Sequence, residues 1–219
     1  MSIKENLEKI KAELPESVTL VAVSKTKPVS DLMQAYNAGQ RIFGENKIQE
    51  MTQKWQSMPH DIQWHMIGHV QRNKVKYMAE YVSLIHGVDS LKLLTEIDKQ
   101  AKKHNRVIHC LLQIHIAEEE SKFGFDEKEL FEMVHSSEFK LLKNIKVLGL
   151  MGMATFTQDK KQIRKEFKQL KTTFDTLKTQ LSDLQELSMG MSGDFMIALE
   201  EGSTMIRIGS SIFGERNFH

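Results

Sequence analysis

Short apolar runs alternate with longer amphipathic stretches along the whole chain. The apolar runs are rich in β-branched residues and predict eight strands, at residues 18–24, 41–43, 62–67, 82–86, 106–114, 145–151, 185–189 and 204–208. Apolar residues at helical spacing predict helices near 30–38, 46–56, 70–80, 90–104, 126–137, 158–182 and 193–201. Residues 3–14 predict one further helix, which ends at Pro15 because proline cannot continue the helical hydrogen bonds.

The alternation of strands and helices indicates parallel strands joined by crossover helices. Eight strands in 219 residues are what a compact (β/α)8 barrel requires. We therefore predict an α/β fold, namely a single (β/α)8 TIM barrel over residues 1–219 with an extra N-terminal helix. The alternative is a doubly wound open sheet. In the barrel, functional side chains should follow the C-terminal ends of the strands.

The charge balance argues against several kinds of partner. Thirty basic and 29 acidic residues give a net charge of +1, which predicts no basic surface for nucleic acid or an anionic membrane. No apolar run reaches the ~18 residues of a membrane span, and the N-terminus lacks the apolar core of a signal peptide. The single cysteine, Cys110, has apolar flanks that predict a buried thiol in a reducing compartment. We expect a cytoplasmic protein.

The first predicted strand carries a lysine to its C-terminal end, in the sequence VTLVAVSKTKP. Because strand residues alternate between faces, Val21, Val23 and Lys25 share one side, which is the barrel interior if the valines face it. Apolar surroundings lower the pKa of a lysine and favour the neutral amine, which attacks an aldehyde or ketone to form a Schiff base. The alternative is a strand-end lysine that extends into solvent.

The last two predicted strands are followed by loops rich in glycine and serine, SMGMSGD and RIGSSIFG. Ser192 is expected to cap a helix that begins near Gly193, and Gly209 and Ser210 repeat the pattern after strand 8. Amides at helix starts bind anions, and TIM barrels commonly bind phosphate in the loops after strands 7 and 8. The alternative is that the glycines serve turns and the serines only cap helices.

Arg207 interrupts the apolar strand MIRIG. A buried arginine needs a partner, because an unpaired charge inside a protein costs several kcal/mol. The partner is either a carboxylate on a neighbouring strand or a ligand that presents a ring nitrogen or a carboxylate.

A lysine after strand 1, a phosphate site after strands 7 and 8 and an inward arginine on strand 8 form a characteristic set. The set resembles the barrel of alanine-racemase-like, fold-type III pyridoxal 5′-phosphate (PLP) proteins. The whole chain is similar to the PLP homeostasis family, known as YggS/PROSC/PLPBP. The matching stretches are LVAVSKTKP (20–28), FGENKIQE (43–50), WHMIGHVQRNK (64–74), IHGVDS (85–90), EESKFG (119–124), LGLMGMA (148–154) and LSMGMSGDFMIALEEGSTMIRIGSSIFGER (187–216).

The resemblance implies a role for each residue of the site. Lys25 would form the Schiff base with the PLP aldehyde, and Arg207 would face the pyridine nitrogen. The other cofactor contacts would be Asn46 near the Schiff base, Met189 against the ring, and Ser192, Gly209 and Ser210 at the phosphate. The mouth would be lined less directly by His65, Gly68, Ser121 and Lys122.

The resemblance also implies binding rather than catalysis. An arginine stays protonated, so the pyridine nitrogen beside it does not hold a proton and the ring is a poorer electron sink. Racemases of this fold type use a tyrosine of a second domain as the opposite-face base, and no such base is evident in this sequence. The family is regarded as holding and delivering PLP in vitamin B6 balance, with PLP-dependent apo-enzymes among the partners this implies.

We therefore expect a monomeric PLP carrier or regulator without a metal site or strong turnover. Two alternatives stay open. A PLP-dependent amino-acid racemase or lyase would turn over one amino acid steadily. A Schiff-base aldolase would use Lys25 directly on a sugar phosphate, and its lysine would be trapped only with that substrate present.

Overall fold

The computed structural model describes residues 2–118 and 123–214, which contain a closed barrel of eight parallel strands. The strands pair in chain order, and β1 also pairs with β8, which closes the barrel. This confirms the predicted TIM barrel and excludes the open sheet. The strands are β1 (Thr19–Val23), β2 (Ile42–Glu45), β3 (Gln63–Met66), β4 (Leu84–Val88), β5 (Ile108–Gln113), β6 (Ile145–Met151), β7 (Glu186–Ser188) and β8 (Met205–Ile208).

Helices surround the barrel, and the predicted N-terminal helix is present as α1. It begins at a capping box, in which Ser2 and Glu5 exchange side-chain and backbone hydrogen bonds. Within the described residues the α-helices are α1 (Ile3–Glu13), α2 (Val29–Asn37), α3 (Ile48–Ser57), α4 (Leu91–Lys103), α5 (Glu127–His135), α6 (Ser137–Leu141), α7 (Lys160–Lys178), α8 (Phe195–Glu200) and α9 (Ser210–Phe213).

Three helical segments differ from the sequence prediction. The segment near 70–80 forms a 3₁₀ helix, Arg72–Tyr77, in which Val75 alone is buried, so it lacks the apolar stripe that stabilises a longer α-helix. The pattern near 126–137 divides at Ser136, whose hydroxyl accepts a hydrogen bond from the Phe139 amide and starts α6. Helix α9 has four residues, too few to show a periodic pattern.

The apolar residues form two layers, as the strand alternation predicts. Val21 faces the barrel interior, whereas its neighbours Leu20 and Ala22 face the helices. The interior layer contains Val21, Leu84, Leu111, Leu148, Met151 and Met205. The predicted stripe of α7 is buried against the barrel, through Ile163, Phe167, Leu170, Phe174 and Leu177.

Two further expectations concern burial. Cys110 is fully buried in β5, and burial raises the pKa of its thiol, so the residue is structural as predicted. None of the described helices is both long and apolar enough to cross a membrane.

The closure between β1 and β8 determines where the functional residues lie. In this pairing Val21 is opposite Arg207, so the loop that carries Lys25 and the loop that follows β8 leave the barrel side by side. The C-terminal ends of all eight parallel strands point to the same end of the barrel.

Candidate functional site

A cavity of about 570 Å³ lies at the C-terminal end of the barrel, where a TIM barrel carries its active groups. Its walls come from the loops after β1, β2, β3, β6, β7 and β8 and from the helices that follow β6 and β7. Six of the predicted site residues line it: Lys25, Asn46, Ser192, Arg207, Gly209 and Ser210.

The peptide that carries Lys25 is fixed on both sides. Before it, the Ser24 hydroxyl donates a hydrogen bond to Glu45 Oε1 at 2.6 Å. After it, the Thr26 amide donates to Glu50 Oε1 at 2.6 Å, in a turn where Thr26 has a φ of 63°. Lys25 itself is half-buried at the cavity wall. Two carboxylates from the β2–α3 segment therefore hold the turn that presents this lysine.

A buried lysine supports the two carboxylates. Lys54 is 5% exposed, and its Nζ lies 2.7 Å from both Glu45 Oε1 and Glu50 Oε1 and 2.8 Å from the Ser24 carbonyl oxygen. Burial raises the pKa of Glu45, whereas the ammonium of Lys54 opposes that rise. Sequence reasoning missed this cluster, although Glu50 and Lys54 have the spacing of an ion pair on one helical face.

Arg207 reaches the cavity from inside the barrel and is 4% exposed. Its Nη1 donates to the Ser188 hydroxyl at 2.6 Å, and its Nη2 donates to the Gly152 carbonyl at 3.1 Å. Within residues 2–118 and 123–214 no carboxylate forms a salt bridge with it, so the predicted alternative of a paired carboxylate is not found there. Burial lowers the pKa of Arg207 to about 10, although the charge of Asp194 raises it, and the guanidinium stays cationic at neutral pH.

Two histidines continue the hydrogen bonds of Arg207 across the barrel interior. His86 Nδ1 lies 3.0 Å from Ser188 Oγ, and His86 Nε2 lies 3.0 Å from His65 Nδ1. Burial lowers the pKa of His65 to about 3. Burial and the nearby His65 and Arg207 hold the pKa of His86 well below its ordinary value. Both rings are therefore neutral at neutral pH, and His65 lies inside the barrel rather than at the predicted mouth.

The loop after β7 is closed by a carboxylate rather than by Ser192. Helix α8 begins at Phe195, with Asp194 at the N-cap position, so the prediction that Ser192 caps a helix from Gly193 is wrong. Asp194 Oδ1 accepts a hydrogen bond from the Met191 amide at 2.6 Å and draws the loop into a turn. Ser192 lies within this turn and lines the cavity.

The loop after β8 meets the β1 loop at the cavity. Gly209 precedes α9, and a Cβ at this position would lie 3.2 Å from the Val23 carbonyl oxygen, so glycine lets the two loops pack closely. Lys27 Nζ donates to the Phe213 carbonyl at 2.9 Å and ties the two loops together further along. The geometry brings Gly209 and Ser210 near Lys25, as the sequence predicts, while their binding of phosphate stays a prediction.

Met189, the remaining predicted cofactor contact, does not line the cavity. It is fully buried in the layer between the barrel and the helices. The reason is the strand alternation: Ser188 faces inward to Arg207, so Met189 faces outward. Met191, two residues further on, lines the cavity instead.

Glycines allow the loops around Asn46 to approach one another. A Cβ on Gly68 would lie 2.5 Å from the Asn46 carbonyl oxygen, and one on Gly87 would lie 2.6 Å from the Gly68 carbonyl oxygen. The loop after β2, the loop after β3 and the end of strand β4 therefore pack in series and set the position of Asn46. Ser121 and Lys122, also expected near the mouth, lie outside the described residues.

Residues 2–118 and 123–214 contain no group of three or more His, Cys, Asp or Glu side chains that could hold a metal ion. The cavity instead combines a primary amine, a buried guanidinium and two loops with exposed serine and glycine positions. Such a set suits an anionic ligand that carries a carbonyl group.

Comparison with known proteins identifies the family. The alanine racemase N-terminal domain family matches residues 1–217. The pyridoxal phosphate homeostasis protein of Vibrio alginolyticus is 38% identical over 232 residues, which cover 99% of each chain. That of Aquifex aeolicus is 40% identical over 202 residues, covering 91% of this chain and 87% of that protein. The structure of PipY of Synechococcus elongatus with PLP bound matches with a TM-score of 0.89 at 35% identity, covering 97% of this chain and all of that one.

These matches cover almost the whole length of this chain and of each compared protein, and they agree with the closed eight-stranded barrel. The chain belongs to the pyridoxal phosphate homeostasis family, whose barrel is that of the alanine racemase N-terminal domain.

Proposed function

We propose that this protein binds PLP as a Schiff base on Lys25 and acts as a PLP carrier or regulator in the cytoplasm. The observation that carries the proposal is the convergence of Lys25, Arg207 and the two loops after β7 and β8 on one cavity. The PLP-bound structure of PipY, at 35% identity over nearly the whole chain, supports the choice of ligand.

The residues present fit this cofactor. The cavity of about 570 Å³ lies in the size range of small-molecule sites. Ser192, Gly209 and Ser210 would hold the phosphate, Arg207 would donate to the pyridine nitrogen, and Asn46 would lie beside the lysine. PLP supplies an aldehyde that condenses with primary amines and a ring that withdraws electrons.

The protein's own groups prepare this condensation. The carboxylates of Glu45 and Glu50 orient the turn that carries Lys25, and the cavity walls separate its amine from part of the solvent. Arg207 donates hydrogen bonds and does not give up its proton at neutral pH, so it does not protonate the ring nitrogen. The site is thus suited to hold the cofactor more than to stabilise a carbanion.

The tyrosines also favour a carrier over a racemase. The chain has three tyrosines, and none of them lines the cavity. The Tyr36 hydroxyl donates to Asp61, Tyr77 is exposed on the 3₁₀ helix, and Tyr81 stacks on Trp55. No tyrosine of this chain is placed to act as the opposite-face base of an amino-acid racemase.

The absorbance spectrum of the purified protein with added PLP tests the proposal. We expect a visible band in the wild type that is absent from Lys25→Ala, and borohydride should fix the cofactor on Lys25, as peptide mass spectrometry would show. Lys27→Ala is the matched control, because this neighbouring lysine also lines the cavity but is bonded to the Phe213 carbonyl. It should keep the band.

Three results would contradict the proposal. If the wild type shows no visible band at saturating PLP, PLP is not its ligand. Trapping of Lys25 by borohydride with a sugar phosphate alone would favour an aldolase. Steady turnover of one amino acid by the loaded protein would instead favour a racemase or lyase. Transfer of PLP to an apo-enzyme, measured as recovered activity of that enzyme, separates a carrier from a protein that only stores the cofactor.

A further inference from the structure

Four polar side chains from four strands form a continuous chain through the apolar barrel interior. They are His65 on β3, His86 on β4, Ser188 on β7 and Arg207 on β8, and each is at most 4% exposed. The proposed function uses Arg207 alone. Burying the other three costs free energy unless each is hydrogen-bonded, so their arrangement calls for a role.

The donors and acceptors of this hydrogen-bond chain can be assigned by starting from Arg207. A guanidinium only donates, so Ser188 Oγ accepts from Arg207 Nη1 at 2.6 Å. The hydroxyl hydrogen of Ser188 is then available to His86 Nδ1 at 3.0 Å. His86 Nδ1 therefore accepts, and its hydrogen lies on Nε2.

The position of the ring hydrogen on His65 follows in the same way. His86 Nε2–H donates to His65 Nδ1 at 3.0 Å, so the hydrogen of His65 also lies on Nε2. In the reverse direction the Ser188 hydroxyl would accept from both neighbours, and its own hydrogen would have no acceptor among the described residues. The hydrogen bonds are thus all donated in one direction, from Arg207 through Ser188 and His86 to His65.

We propose that Ser188 and His86 are positioning residues for Arg207, and that they fix its guanidinium at the cavity floor through a one-way hydrogen-bond chain that ends on His65. Ser188 and the Gly152 carbonyl hold two different nitrogens of the guanidinium, from β7 and from the end of β6. Two acceptors in fixed places set both the direction and the plane of the group. The further step, that this orients Arg207 toward a bound ligand, rests on the proposed function.

The groups that hold Arg207 in place are uncharged, and this has a consequence for the charge of the cavity. A carboxylate in place of Ser188 would orient Arg207 equally well but would cancel its charge within the low-dielectric interior. A hydroxyl backed by neutral imidazoles orients the guanidinium and leaves its positive charge available to the cavity. Asp194, whose charge raises the pKa of Arg207, lines the same cavity, and its carboxylate accepts from the Met191 amide.

A matched pair of variants tests the positioning role. Ser188→Thr keeps the hydroxyl and Ser188→Val replaces it with a methyl group, so both add similar bulk at a fully buried position. In the ligand-free protein, ¹⁵N NMR of the imidazoles should show His86 and His65 with hydrogen on Nε2 in the wild type and in Ser188→Thr. In Ser188→Val the His86 signals should change to a mixture of tautomers.

The second readout is PLP affinity from the visible absorbance. Loss of one charge-assisted hydrogen bond to a buried arginine predicts that Ser188→Val weakens PLP binding about tenfold or more, while Ser188→Thr stays near the wild type. If the added bulk prevents either variant from folding, Ser188→Ala against the wild type replaces the pair, with the same two readouts.

The outcomes separate the inference from the proposed function. Hydrogen on Nδ1 of His86 in the wild type, or equal spectra and equal affinities for Ser188→Val and Ser188→Thr, would overturn the positioning role. A wild type that shows the expected tautomers but no PLP band would overturn the proposed ligand and support the positioning of Arg207. The expected tautomers together with a Val-specific loss of affinity support both.

Discussion

Lys54 lies buried beneath the turn that presents Lys25, and its ammonium donates to three acceptors, one in the loop after β1, one at the end of β2 and one on α3. Lys54→Met should destabilise the protein by about 3–5 kcal/mol, because it leaves the fully buried Glu45 carboxylate without its cation. Urea unfolding of wild type and variant measures this. Lys99→Met on α4, whose lysine is exposed, is the matched control and should change the free energy of unfolding by less than about 1 kcal/mol.

A double variant tests the cause. Adding Glu45→Gln to Lys54→Met removes the uncompensated charge, so it should recover part of the lost stability in a double-mutant cycle. Strictly additive losses would mean that the carboxylate and the ammonium do not interact across their 2.7 Å contact.

At the scale of single residues, the sequence marks the two cationic side chains that line the cavity better than the side chains that hold them in place. Lys25 and Arg207 stand out because a charge in or after an apolar strand is rare and therefore visible. Ser188 and His86 do not stand out, since a serine or histidine in a strand has many ordinary roles. Alternation gives the face of such a residue relative to its neighbours but not its partner, and the sequence does not show that Ser188 faces inward to Arg207, which turns Met189 away from the cavity.

At the scale of elements, the contact between β6 and β7 depends on a single glycine. A Cβ on Gly149 would lie 1.6 Å from the Glu186 carbonyl oxygen, which is backbone and cannot move aside as a side chain would. Gly149→Ala should therefore separate the two strands and cost about 3 kcal/mol or more in unfolding free energy.

Gly193→Ala is the control for this prediction. A Cβ there meets nothing within 4 Å, so the unfolding free energy should stay within about 1 kcal/mol of the wild type. Equal stability of the two alanine variants in urea unfolding would show that β7 can shift without cost.

The strands and most helices could be predicted because their burial has a clear period. The eight strands occur where short apolar runs were found, and α7 buries the five residues of its predicted stripe. The 3₁₀ helix was beyond prediction, since it has one buried residue and its geometry follows from the path between β3 and β4. The start of α8 at Phe195 also differs from the prediction, because Ser192 and Asp194 are equally good caps by residue type, whereas the Asp194 carboxylate makes no cap bond and accepts from the preceding Met191 amide instead.

At the scale of the whole molecule, the buried histidines predict how stability depends on pH. The pKa of His65 is about 3 in the folded protein and near 6.5 when unfolded, so the unfolded chain binds the extra proton first as pH falls. The free energy of unfolding should therefore decrease as the pH drops below about 6.5. Between about pH 7 and pH 5 this one residue should account for about 2 kcal/mol.

His65→Asn isolates that contribution, because an asparagine oxygen can still accept from His86 but does not titrate. Unfolding free energies at both pH values should show a pH-dependent loss about 2 kcal/mol smaller in the variant than in the wild type. An identical loss in the two proteins would mean that His65 is not buried neutral. The extent of the domain over 1–219 and the monomeric state stay predictions.

Closure of the barrel between its first and last strands also has a consequence during synthesis. The ribosome makes Lys25 early and Arg207 on the order of 180 residues later, which at ~5–20 residues per second is a delay of at least ~10 s. Until β8 emerges and pairs with β1, the nascent chain holds Lys25 but not the guanidinium of Arg207 or the loop after β8 that complete the cavity. A truncated product would lack both, so occupancy of the cavity would report that translation has run through to the final strand.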